Sequence, residues 1–143
     1  MTLLAHLHGH AAVLAIATLF HPAVLLWSGR PLSRGARWAV ASTLATTIVA
    51  FALGLWIYGP YRDLVRHDLT LASPDAALLF ETKEHLAWAT LTLALGAGVA
   101  ALAAPRSATG LRRITARAYL SAAVLGTIVC GLGIHIASIH GFT

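Results

Sequence analysis

Four apolar runs, at residues 3–27, 38–58, 85–104 and 118–139, leave this chain few ways to fold. Each is as long as the roughly 20 residues that carry a helix across a bilayer. A water-exposed domain would have to cover that surface with polar residues the chain lacks. Only 10% of its residues are charged and 58% are hydrophobic, whereas a soluble domain carries about 25% charged residues. Alanine and leucine dominate the runs and no two-residue alternation passes through them, so helices rather than strands are expected. The prediction is an all-α fold, an integral membrane antiparallel four-helix bundle forming one transmembrane domain. Its spans are placed at about residues 3–28, 37–58, 84–104 and 117–140, with a connecting outer segment at 59–83.

The first run lacks the basic start of a signal peptide. The single cysteine, Cys130, lies in an apolar run, so no disulfide framework exists. P-loop, dinucleotide fingerprint and serine triad are all missing from the sequence. The net charge of +5 does not mark a nucleic-acid binder, because the arginines cluster in short segments between apolar runs.

Charge distribution predicts orientation. GRPLSRGARW carries Arg30, Arg34 and Arg37, and PRSATGLRRITAR carries Arg106, Arg112, Arg113 and Arg117, with no acid in either. Arginine-rich short loops stay on the cytoplasmic side. Both termini and residues 59–83 then face outward, as expected for a protein of the bacterial inner membrane. Seven of the eight histidines fall at that outer end: His6, His8, His10, His67, His85, His135 and His140. Only His21 lies deeper. Trp27, Trp38, Trp56, Tyr58, Tyr61 and Trp88 sit near span ends and read as an aromatic belt.

Aligning His10 with His85 brings out a faint repeat of two helical hairpins. Each has a basic loop with a proline, Pro31 or Pro105, and the second helices end GLWIYG and GIHIAS. Within the outer segment, Ser73-Pro74-Asp75 has the pattern of an N-cap, a first-turn proline and a first-turn acid. It starts the third helix near Pro74 and makes Glu81 and His85 neighbours on one face, with Leu78, Trp88 and Thr92.

Two kinds of site follow from the histidines. A b-type haem needs imidazoles from facing helices and partners for its propionates. His10, His85 and His135 lie at similar depth, Gly131 and Gly133 leave room beside His135, and Arg62 and Arg66 can pair with propionates. A haem-free metal site is the alternative, with His6, His10, Glu81, His85, His135 and His140 as candidate ligands for copper, zinc or iron. The bland reading is that interfacial histidines bond to water and headgroups, which suits His67, His6 and His8. For His21, hydrogen bonding to Ser42, Thr43, Thr46 or Thr47 is expected, with Pro22 freeing a backbone carbonyl beside it. Gly126, Cys130, Gly133 and Ala137 form a stripe suited to close helix packing.

A four-span bundle with His10, His85 and His135 at the outer ends of its helices resembles the small bacterial four-helix b-type membrane cytochromes. The resemblance rests on architecture and histidine placement and includes no diagnostic motif. It implies electron transfer through haem b, with a quinone or a periplasmic redox partner. Those cytochromes commonly hold two haems, one near each face; this chain departs from that pattern, since only His21 lies at the inner end, and a single outer haem, or no haem, is what remains of the resemblance. The alternatives are a His/Glu metal enzyme or metal-handling protein, and a cofactor-free accessory subunit of a larger membrane complex.

Overall fold

The computed structural model describes residues 2–140, apart from the side chains of Thr2, Tyr61, Leu64, Val65, Asp68, Ala72 and His140. Four helices follow one another: α1 (Thr2–Trp27), α2 (Arg34–Ala72), α3 (Pro74–Ala103) and α4 (Thr109–His140). All four are long and apolar enough to cross a membrane. Short connections make neighbours antiparallel. α1 packs on α2 and α4, and α3 packs on the same two, so α1 and α3 occupy opposite corners of the bundle.

Inward positions recur every seven residues, the spacing that keeps one seam of a helix facing its neighbours in a left-handed bundle. On α1 the row is His8, Ala15 and Pro22; on α2 it is Val40, Thr47 and Gly54. On α3 it is Ala76, Lys83, Thr90 and Ala97, and on α4 it is Arg112, Tyr119, Gly126 and Gly133. The rows are mostly small residues, which lets backbones approach where lipid leaves little hydrophobic force between helices. Leu44 fills the space above Gly98, and Ile16 packs over Gly126. The predicted small stripe on α4 is therefore a packing surface.

The outer segment differs from the expected connecting loop. α2 runs unbroken through Pro60 and continues to Ala72, about 18 Å past the proline at 1.5 Å per residue. A proline costs one backbone hydrogen bond, and flanking turns can carry the helix through. Together with the start of α3 it forms a helical spur. Ser73 alone joins the two helices: its N–H donates to the Leu69 carbonyl at 2.7 Å, and its hydroxyl accepts from the Ala76 N–H at 3.4 Å. The Ser-Pro-Asp cap expected from the sequence is present.

Two apolar cores result. One, built on Leu19, Leu26, Val40, Ala97 and Tyr119, fills the arginine-loop end; the other, Leu69, Ala76, Phe80 and Ile136, fills the base of the spur. Along α3 and α4, Lys83 and Gly133 fall between them.

The arginine-loop end is locked by one side chain. Arg112 is 1% exposed. Its Nε donates to the Gly29 carbonyl, and its two terminal nitrogens donate to Pro105 and Arg106, all at 2.8 Å. One guanidinium thus ties both loops together, using carbonyls where no carboxylate exists. Gly29 has φ of 71° and lies against Thr109, leaving no room for a side chain.

The expectation for His21 is corrected. His21 lies on the exposed side of α1. Thr43 donates to the Thr18 carbonyl at 3.0 Å. That carbonyl is the one Pro22, having no N–H, cannot satisfy. The threonine of α2 serves the backbone beside the proline and leaves the imidazole alone.

Candidate functional site

His8 is the histidine that faces the bundle. Successive helical residues turn by about 100°, so His6 and His10 share a face and His8 points the other way. The buried row Ala15, Leu19, Ala23 and Leu26 fixes which face is inside, and His8 lies seven residues before Ala15 on it. Its ring lies over Gly54, and its Nδ1 donates to the Ala50 carbonyl at 3.0 Å.

Three further groups gather at this level. Lys83 is half-buried, with its stem beside Gly133 and its ammonium 4.8 Å from the centre of the Phe80 ring. It lies within electrostatic range of both His8 and Glu84. Tyr58 donates its hydroxyl to Glu84 Oε2 at 3.0 Å. The other carboxylate oxygen, Oε1, is buried with no hydrogen-bond partner among the described residues. The arrangement is a polar layer between two apolar cores: an imidazole and an ammonium turned inward, and a carboxylate held by a phenol that stands nearer the bundle surface.

The spur covers this layer. Arg66 pairs with Glu81, and the Arg62 guanidinium stands 5.8 Å above the Tyr58 ring. Of the two arginines expected to meet propionates, Arg66 is engaged with α3, and Arg62 stands over a ring of its own helix, α2. Below them, Phe51 and Trp88 meet edge-on at 4.6 Å.

The histidines chosen from the sequence are placed elsewhere. His6, His10, His85 and His135 are all exposed. His10 and His85 stand on opposite corner helices and face outward, so they do not converge with His135 on one macrocycle within a single chain. The Glu81 carboxylate is taken by Arg66 and also stays apart from His6 and His10. His140 ends α4, and its side chain lies outside the described residues, as does that of Tyr61. Among the described residues no three His, Cys, Asp or Glu side chains come together as a metal shell. A single haem held by His10, His85 and His135 of one chain therefore does not fit this arrangement.

The exposed pair does share one local feature. His10 Nδ1 donates to the His6 carbonyl at 2.7 Å, and His85 Nδ1 donates to the Glu81 carbonyl at 2.8 Å. A carbonyl only accepts, so Nδ1 carries the proton and Nε2 keeps the lone pair of the neutral ring.

Two inward residues, His8 and Lys83, were not singled out as site residues by their chemistry. The signal that finds them is spacing: Lys83 lies seven residues from both Ala76 and Thr90, and fourteen from Ala97. Under the His10–His85 alignment His8 falls on Lys83, and pairing the second-helix ends GLWIYG and GIHIAS, offset by four more residues, sets Gly54 on Gly133. Each of the two side chains lies against the glycine of its own hairpin.

Fold and site together define an all-α four-helix bundle, with spans apolar enough for a membrane and an ionisable layer near one end. No protein-family model matches the chain, and neither a curated protein nor a solved structure matches it.

Proposed function

We propose that this chain is a small bacterial inner-membrane subunit that binds a quinone headgroup and exchanges its protons at the outer end of the bundle. The observation that carries this reading is Glu84, half held by Tyr58 and with its other oxygen unpartnered among the described residues, next to Lys83, which in turn lies within electrostatic range of His8. Ionisable groups facing a bundle interior are costly, and by default they point to ion or proton traffic. A quinone oxygen needs a donor, which the ammonium supplies, and its reduced form needs a base, which the carboxylate oxygen supplies; His8 Nδ1 is held by the Ala50 carbonyl, which leaves Nε2 as an acceptor. The electrons pass to a redox group of a partner subunit.

The orientation rests on the arginine loops, with both termini and the spur outside. In a Cys130→Ala background, Asp75→Cys is expected to react with an impermeant thiol reagent added to intact cells and Arg34→Cys to stay protected; the reverse pattern overturns it.

Quinone binding is tested by titrating a short-chain quinone onto the protein in nanodiscs and following tryptophan fluorescence. Saturable quenching, weakened about tenfold or more in Glu84→Gln, is expected. Quenching that never saturates, or that ignores the substitution, contradicts the reading.

A second reading, haem b ligation, is favoured by the fixed Nε2 of His10 and His85. Since these rings face outward from opposite corners, each would need its second ligand from another chain. A reduced-minus-oxidised visible spectrum lost in both His10→Ala and His85→Ala supports it, and a colourless membrane-purified protein removes it.

A further inference from the structure

At the opposite end from the ionisable layer, a cavity of about 370 Å³ opens between the end of α1 and the start of α4, lined by Trp27, Ser28, Arg113 and Arg117. We infer that this groove binds the phosphate of an anionic lipid headgroup. The inference requires only that the helices cross a membrane, and it is independent of what the outer end binds.

Among the described residues, the charges there have no counter-ion. Arg30, Arg34, Arg37, Arg106, Arg113 and Arg117 are exposed at this end, whereas all five acids of the chain fall within residues 63–84. Among the described residues, neither the Arg113 nor the Arg117 guanidinium hydrogen-bonds to a protein group. These two arginines stand one turn apart on α4, so their forks can close on the oxygens of one phosphate. The Ser28 hydroxyl adds a donor, and exposed Trp27 gives the apolar wall and polar edge that suit the headgroup level. The C-terminal dipole of α1 opposes an anion with about half a charge, which two full guanidinium charges outweigh.

The rim is held in place before any ligand arrives. Arg112 anchors the Gly29 carbonyl, and Gly29 lies against Thr109, with Arg113 Nε 3.3 Å from where a Cβ would stand. The groove is therefore fixed on both sides by the clamp that joins the loops. Basic pockets between spans on the cytoplasmic side are a recurrent setting for anionic lipid headgroups.

The test is native mass spectrometry of the detergent-purified protein titrated with phosphatidylglycerol, with phosphatidylcholine, and with inorganic phosphate. The first phosphatidylglycerol is expected to bind at least about tenfold tighter than phosphatidylcholine, and inorganic phosphate in excess leaves it bound. Arg113→Gln/Arg117→Gln removes that preference, while Arg34→Gln/Arg37→Gln, which deletes equal charge at the same end, retains it. If the first pair fails to fold by circular dichroism, Arg117→Gln alone is expected to lose about half the preference on a free-energy scale. Equal binding of both lipids overturns the inference. So does equal loss in the two double variants, which would mean diffuse charge. Inorganic phosphate competing at the lipid's own affinity would mean a site for soluble phosphate and would also overturn it.

Discussion

The imidazole of His8 lies so close to Gly54 that a Cβ there would stand 2.9 Å from His8 Cε1. In the second hairpin a Cβ on Gly133 would stand a relaxed 3.9 Å from Lys83 Cδ. The two hairpins use one design, a nitrogen-bearing side chain over a glycine, with different tolerance.

That difference is measurable. Gly133→Ala is expected to be neutral or to stabilise by up to about 1 kcal/mol, because alanine is the better helix former. Gly54→Ala gains the same propensity but pushes the His8 ring off the Ala50 carbonyl, so it ends about 1 kcal/mol or more below Gly133→Ala. Denaturant unfolding followed by circular dichroism checks this. His8→Ala combined with Gly54→Ala should recover the loss, and identical behaviour of the two glycine variants would refute the close approach.

Arg112 joins the loops through three carbonyls. Arg112→Ala leaves them unpaired in a buried place and is expected to cost about 3 kcal/mol or more. Lysine lacks the planar fork and restores only part of it. Arg34→Gln, exposed on the same end, is expected to stay within about 0.5 kcal/mol. A thermal melt in which Arg112→Ala and Arg34→Gln coincide would remove the clamp from the account.

Thr43 and Pro22 are coupled through the Thr18 carbonyl. Thr43→Val is expected to cost about 1 kcal/mol. In a Pro22→Ala background the new N–H of residue 22 takes over that carbonyl, and the cost of Thr43→Val falls. A double-mutant cycle with coupling near zero would show that the threonine serves only its own helix.

Much of this architecture is legible in the sequence, and the reasons differ by element. The four spans follow from run length. The Ser73-Pro74-Asp75 cap follows from local chemistry that needs no tertiary context. The helix through Pro60 is not legible, because Gly59-Pro60 followed by charges looks like the end of a span, and only the packing of Leu69 on Phe80 and Ile136 shows that the spur persists. Rotation of α1 about its axis is hidden for a related reason. With apolar residues around the whole circumference, no polar face says which side is outside. His10 then looks as good as His8, although the seven-residue row through Ala15 points to His8. Arg112 reads as one of several loop arginines, and only the Arg112, Tyr119, Gly126, Gly133 row turns it inward. The exposed histidines were found by residue type, whereas the inward layer is found by register.

The central claim is that Glu84 exchanges a proton in the layer it shares with Tyr58, Lys83 and His8. Infrared difference spectroscopy across a pH titration, on protein in nanodiscs, tests it most directly. Among the protonated-carboxyl bands, one component is expected to be missing in Glu84→Gln, to persist in Glu81→Gln, and to shift in Tyr58→Phe as Oε2 loses its donor. A set of carboxyl bands that Glu84→Gln leaves unchanged would contradict the account.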